Sequence, residues 1–361
     1  MSGFRVRLAA GALALTLAAC ASSDPLPMVA TGTVTPHLTD ASYVAIDGAE
    51  LPLKSWLPPD GEIKAVVLAV HGINDYSHAF EMPAKIWAED GIATYAYDQR
   101  GFGAAPPRGR WVGTYQLDAD VATVSRLLRA KYSNVPLYLL GESMGGAVVI
   151  TAATGWAGAQ RPDVDGIILV APAVWGEQTM NVFYRTALWV ADHVAPRWQL
   201  SGSGLHILPS DNIPMLREFS RDPLVIKETR VDTIKGLVQI MSEALEAAPQ
   251  VKQRALLLYG AHDQLVPADP VKQFVGTLPR RGPGEDTVAY YDTGYHMLLR
   301  DLDGAKVATD VEDWIFHPDA PLPSGADIAG AAEFLPQAAT TLNAKAGGPV
   351  QARANYAPSA P

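Results

Sequence analysis

The feature that most constrains this chain is a series of short, wholly apolar runs, each bounded by turn residues and alternating with stretches of helical spacing. "AVVLAV" (65–70) leads into His71-Gly72, a helical stretch follows over Ala79 to Glu89, and "ATYAYD" (93–98) comes next. Residues 115–131 place apolar side chains at 117, 121, 124, 127 and 128, the period of a helix with one buried face. "PLYLLG" (136–141) runs into a helix opening at Ser143, and "GIILVAP" (166–172) follows. "ALLLYG" (255–260), a helix near 270–278, "TVAYYD" (287–292) and a helix near 303–315 complete the series. Strands apolar on both sides must be covered on both sides, so the pattern predicts a mostly parallel sheet with helices on both faces. Only the start differs: "YVAI" and "LPLKSWL" flank Asp47-Gly48 and read as a hairpin.

One segment interrupts the alternation. Residues 173–250 hold no convincing strand but contain two amphipathic stretches, "VFYRTALWVADHV" and "TIKGLVQIMSEALEAA". An insertion there sits above the C-terminal ends of the strands, where open α/β sheets bind ligands, and it reads as a cap over about 173–250. The plainer alternative is that both helices pack on the sheet.

The two ends read as separate from the folded domain. Arg5 and Arg7 precede an apolar stretch from Leu8 to Ala19 that is too short to span a bilayer and fits a secretory signal over residues 1–19. It ends in Leu17-Ala18-Ala19-Cys20, and Cys20 is the single cysteine. That string is similar to a bacterial lipoprotein signal, which implies a lipidated Cys20 at a new N-terminus. Ala21 in place of an aspartate then points to the outer membrane of a two-membrane bacterium. With Cys20 committed to lipid, the domain has no disulfide and depends on its core for stability. Residues 20–41 read as the lipidated cysteine and a tether, 42–317 as the domain, and 318–361, rich in Ala, Pro and Gly, as a disordered tail. The formal net charge of −10, with no long basic run, argues against a nucleic-acid partner. Oligomeric state is not legible.

The chemistry centres on "LLGESMGG" (139–146). Gly-x-Ser-x-Gly alone is weak, since ordinary glycine usage gives a chain this long a chance match about one time in ten. Its context is stronger, because an apolar strand feeds Ser143 and a helix opens at it. That is the strand–turn–helix in which a serine serves as a nucleophile. Gly141 and Gly145 leave room for a turn too tight for a Cβ, and Gly146 lets the helix lie close to the sheet. A serine nucleophile needs a histidine base oriented by a carboxylate. "LLLYGAHDQLVP" supplies Asp263 after one strand and "VAYYDTGYHMLLRD" supplies His296 after the next, in the order Ser, Asp, His. The backbone N–H groups of Met144 and Ile73 are the candidate oxyanion donors. His71 reads as a buttress of that loop. In the cap, Trp175, Phe183, Tyr184, Leu188 and Trp189 are candidates to line an acyl channel.

"HGINDYS", "YDQRGFGAAP", "GESMGG", "YGAHDQLVP" and "YHMLLRD" together resemble the monoacylglycerol lipase and lysophospholipase group of α/β-hydrolases, which includes serine-aminopeptidase-like members. The resemblance covers about residues 43–316. It implies an eight-stranded, mostly parallel sheet with a helical cap, and cleavage of acyl-lipid or small esters without metal or organic cofactor. Its nucleophile, acid and base fall on Ser143, Asp263 and His296, and its oxyanion donors on Ile73 and Met144. A peptidase of the same fold is the nearest rival and would need a polar subsite for a free amine, such as Glu177 or Asp192. A non-catalytic binding lipoprotein is the rival of another class, and it would need none of the three triad residues.

Overall fold

The computed structural model describes residues 33–279 and 286–334. The signal segment, Cys20, most of the tether and the chain beyond 334 lie outside the described residues. In chain order the elements begin with β1 (His37–Leu38), β2 (Ser42–Val44), β3 (Glu50–Trp56) and β4 (Ala65–Val70). Next come α1 (Glu81–Glu89), β5 (Ile92–Tyr97), α2 (Thr114–Lys131), β6 (Leu137–Glu142), α3 (Met144–Thr154) and β7 (Gly166–Val170). The inserted segment holds α4 (Val182–Val194), β8 (Gln199–Ser201), α5 (Ile213–Arg221), β9 (Glu228–Arg230) and α6 (Val231–Ala247). Finally come β10 (Arg254–Gly260), α7 (Ala268–Thr277), β11 (Asp286–Tyr291), α8 (Gly304–Phe316) and α9 (Ala326–Phe334).

Nine strands form the main sheet in the order β1-β2-β3-β5-β4-β6-β7-β10-β11, one more than expected because the two-residue β1 adds to the edge. β1, β2, β3 and β5 pair antiparallel in turn, and β5, β4, β6, β7, β10 and β11 pair parallel. The two faces follow the period of two. Val66, Leu68 and Val70 join Ile167, Leu169 and Leu257 in one core with residues of α2, α3, α6 and α7. Val67 and Ala69 join Ile168, Val170, Leu256 and Leu258 in the other, closed by Trp87 of α1 and Trp314 of α8. A run with no polar position is what a strand needs when both faces are buried.

The inserted segment differs from expectation in three ways. It contains β8 and β9, a two-stranded antiparallel ribbon with three residues in each strand. It contains α5, which the sequence pattern did not single out. And α6 belongs to the body: Val238, Ile240, Met241, Ala244 and Leu245 are buried in the core that includes α3. Gly236 permits this seat, because a Cβ there would lie 2.3 Å from the Trp111 ring. The alternative of a helix packed on the body thus holds for α6, while α4, with no buried residue, is exposed.

The folded part does not stop at His317. Leu322, Ala326 and Phe334 are buried, and α9 lies along the edge strand β11. The Phe334 ring meets Tyr259 edge-on at 5.7 Å and Tyr290 at 5.9 Å. A Cβ on Gly330 would fall 1.9 Å from the Val288 carbonyl oxygen, so the small residues that make this stretch look unstructured are what let it dock. An edge strand covered in this way is also protected from pairing with another chain.

Candidate active site

Strand register brings the candidate residues to one edge of the sheet. Val70 pairs with Gly141, Glu142 with Val170, Val170 with Leu258 and Gly260 with Tyr291, so β4, β6, β7, β10 and β11 end nearly level. The residues just past four of these ends are His71-Gly72-Ile73, Ser143, Asp263 and His296.

Ser143 has φ 55° and ψ −120°. A non-glycine residue in that region is strained, and such strain is held only where the surroundings impose it. Here they do. The Ser143 N–H donates to the Val170 carbonyl at 2.9 Å, and its own carbonyl accepts from Ala173 N–H at 2.9 Å. A Cβ on Gly141 would lie 2.3 Å from the Gly145 oxygen, and one on Gly145 would lie 1.9 Å from the Val70 oxygen. Both glycines are therefore demanded by close backbone approach. Gly146 lies against Pro172, where a Cβ would come within 2.8 Å of the ring.

Asp263 and His296 meet directly, with 2.8 Å between Oδ2 and Nδ1. The other carboxylate oxygen of Asp263 accepts from the N–H groups of Leu265 at 2.8 Å and Val266 at 2.9 Å. The carboxylate is thus oriented by its own loop before it orients the imidazole. Burial on its own would depress the His296 pKa, but the Asp263 charge and hydrogen bond outweigh it. Glu142 acts in the same direction and Arg300 opposes, leaving the imidazole above its ordinary value.

The candidate oxyanion donors are backbone groups. Met144 is the first residue of α3, where an N–H has no partner within the helix. Among the described residues, neither its N–H nor that of Ile73 makes a hydrogen bond. Gly72 abuts the serine, since a Cβ there would lie 3.2 Å from Ser143 Cβ. His71 is buried, with Nδ1 2.8 Å from the Gly72 oxygen and Nε2 accepting from Gln99 N–H at 2.9 Å. These partners require the neutral, Nδ1-protonated form, and burial lowers the pKa in keeping with it. In a planar trans peptide the C=O and N–H point opposite ways, so holding the Gly72 carbonyl directs the Ile73 N–H away from His71. His71 is a buttress, as expected.

The five proposed acyl-channel residues are not brought together. Phe183, Tyr184 and Trp189 are 80, 66 and 58% exposed, whereas Trp175 and Leu188 pack partly buried against the core. Leu188 and Trp189 do share a cleft of about 340 Å³ with Met180, Val182, Arg185 and Val238. Val182, Arg185, Thr186 and Trp189 share one face of α4, Leu188 lines the cleft from beside that face, and Phe183 and Tyr184 do not line it. Glu177, one candidate for a free-amine subsite, is ion-paired with Lys235.

Sequence reasoning missed the charged residues around the site. Glu142, Asp75 and Arg300 are buried together, with Arg300 Nη2 2.8 Å from Asp75 and 3.1 Å from Glu142. The only signal was that all three sit inside the quoted motifs, Asp75 in "HGINDYS", Glu142 in "GESMGG" and Arg300 in "YHMLLRD". Among the described residues there is no group of three or more His, Cys, Asp or Glu placed to hold a metal ion.

A family model described as serine aminopeptidase, S33, matches residues 61–303. Monoglyceride lipase of Rattus norvegicus is 26% identical over 289 residues, covering 78% of this chain and 90% of its own. Monoacylglycerol lipase of Mycolicibacterium smegmatis is 23% identical, covering 77% and 96%. Among solved structures, a soluble variant of monoglyceride lipase from Saccharomyces cerevisiae with a substrate analog superposes with a TM-score of 0.66. It is 19% identical over 82% of this chain and 99% of its own, a likeness of fold.

Proposed function

Because the chain belongs to the serine aminopeptidase, S33, family of hydrolases, we propose that it is a serine ester hydrolase acting on acylglycerols or lysophospholipid-like acyl esters. What carries this reading is the 2.8 Å Asp263–His296 bond on the same sheet edge as a serine held at φ 55°. A binding module requires neither. The lipase names of the relatives, which this chain matches over nearly their full length, support the acylglycerol class.

The chemistry is two-step acyl transfer. Ser143 Oγ attacks the ester carbonyl as His296 Nε2 takes its proton, and Asp263 stabilises the imidazolium. The Ile73 and Met144 N–H groups receive the oxyanion, aided by the positive end of α3. The imidazolium then protonates the departing alcohol. Water, deprotonated by the same nitrogen, attacks the acyl-enzyme, and the proton returns to Ser143 as the fatty acid leaves.

The test is release from a panel of monoacylglycerols, lysophospholipids, p-nitrophenyl esters and aminoacyl-anilides by the folded domain. Ester turnover is expected and anilide turnover is not. Anilide cleavage in preference to esters would move the assignment to peptidase, and a folded protein inert on every substrate would leave a binding role.

We propose separately that the protein is a lipoprotein of the cell envelope, anchored in the outer membrane through Cys20. The basic start, short apolar stretch and Leu-Ala-Ala-Cys string support it. The folded unit under this proposal includes β1 (His37–Leu38) and α9 (Ala326–Phe334), which lie outside the 42–317 expected from the pattern. Mass spectrometry of protein from a two-membrane host should find an N-terminal peptide beginning at Cys20 and carrying diacylglycerol. An unmodified thiol, or a different first residue, would sink the anchor without touching the hydrolase.

A further inference from the structure

We propose that Arg300 is a positioning residue for this site. Its guanidinium holds the oxyanion loop, the nucleophile strand and the base loop in one arrangement, and ties that arrangement to the cap. The inference rests on the hydrolase reading and deepens it.

Three pieces of the site converge on this side chain. Asp75, in the loop that carries Ile73, lies 2.8 Å from Nη2, and its other oxygen accepts from Tyr76 N–H at 2.8 Å. Glu142, the residue before Ser143, accepts from the same Nη2 at 3.1 Å. Arg300 itself closes the 3-10 turn Leu298–Arg300 that follows His296. All three side chains are buried, with Asp75 4%, Glu142 2% and Arg300 7% exposed.

The cap is joined at the same point. The guanidinium lies over the Phe219 ring of α5 at 5.7 Å, and the Arg300 carbonyl accepts from Asn212 Nδ2 at 2.9 Å. Met297 N–H donates to Pro209 O at 2.9 Å, and Leu302 N–H to the Asp211 carboxylate at 2.8 Å. On its other side the oxyanion loop also meets the cap, through Asn74 Nδ2 to Thr229 Oγ1 at 2.7 Å and Tyr76 OH to Asp222 at 2.7 Å.

Stability is a poor reason for such a cluster. Buried ion pairs are commonly replaced by apolar groups of similar volume without loss, because removing the charges from water offsets their attraction. Geometry is a better one. An oxyanion donor works only at hydrogen-bond distance from the developing charge, and a displacement of about 1 Å costs on the order of 100-fold in rate. Asp75 is two residues from the Ile73 donor and Glu142 adjoins the nucleophile, so one cation between them fixes the distance that matters.

The test uses a soluble short-chain p-nitrophenyl ester, with rates expressed per site titrated by a fluorophosphonate. Arg300→Met should lower kcat about 100-fold with KM within about threefold of wild type, the signature of an interaction realised in the transition state. Arg300→Lys should recover at least about tenfold of that loss, because one nitrogen meets both carboxylates and an ammonium can do the same. Asp75→Asn keeps the acceptor for Tyr76 N–H but turns an amide toward Arg300, and should lower kcat about tenfold or more. If Arg300→Met does not fold, Asp75→Asn decides. Wild-type kcat per titrated site in either variant, or a loss confined to KM or to thermal stability, would overturn the inference. Full ester turnover by Ser143→Ala would instead overturn Ser143 as the nucleophile on which the reading of this site rests, and a folded wild type inert on every ester would overturn the hydrolase reading; no Arg300 variant can imitate either outcome.

Discussion

Ser143→Ala is expected to remove ester turnover by on the order of 10⁶-fold in kcat while leaving the protein folded, since loss of a triad serine alone costs about that much. The second half of the expectation comes from the elbow. The hydrogen bonds that hold residue 143 are backbone ones, from its N–H to Val170 and from Gly146, Ala147 and Ala173 to its carbonyl, so alanine keeps them all. The glycines that make the turn possible at 141 and 145 are untouched. Thermal unfolding should therefore match the wild type within a degree or two by an ordinary surface-substitution scale, about 0.5 kcal/mol. Trace activity above the uncatalysed rate is still expected, because Ile73 and Met144 keep their N–H groups and donors alone give about 10³–10⁴-fold over water. Measuring burst amplitude as well as steady-state turnover separates the two: the acyl-enzyme burst must vanish. Retained burst and turnover would mean that the nucleophile is another residue and that the elbow is only a tight turn.

How much of this was legible in the sequence depended on whether the signal was local. Strands such as 65–70 and 255–260 announced themselves because both faces are buried and no polar position interrupts them. Ser143 was legible because a tight turn must place glycine two residues to either side, and Asp263 and His296 because each follows such a strand. The cap was legible only as an interruption. Amphipathicity shows that α6 has a buried face, but it does not say that the face packs into the main core. Three-residue strands such as β8 and β9 carry no period to detect. The stretch up to Phe334 was not legible as folded because "SGADIAGAAEF" has the composition of an unstructured segment, and its docking depends on the gap at Val288 that only glycine fits. The Arg300 cluster was invisible for a different reason. A buried arginine is marked by its partners, and Glu142 stands 158 residues away in the chain.

Asp263→Asn is expected to cost about 10⁴-fold in kcat with KM nearly unchanged, and the direction of the amide decides it. In the wild type one carboxylate oxygen accepts from Leu265 and Val266 N–H, and the other from His296 Nδ1. Asparagine keeps the first pair only by pointing its carbonyl at them, which turns its NH₂ toward the imidazole. Nδ1 must then accept, so the ring proton moves to Nε2, the atom that has to take the proton from Ser143. The alternative flip restores the correct tautomer but leaves two loop N–H groups without their acceptor, a loss of two hydrogen bonds at about 1 kcal/mol each. The pH dependence supplies an independent check. His296 works as a base when neutral, so activity falls as pH drops through its pKa, and the wild-type acid limb should lie above the unperturbed value of about 6.5. Removing the Asp263 charge removes the largest influence that raises it, leaving burial and Arg300 to push it down against Glu142. The residual activity of the variant should therefore show its acid limb at lower pH than the wild type. A limb that stays in place would mean that another group titrates there, and a kcat within tenfold of wild type would mean that His296 is oriented by something other than Asp263.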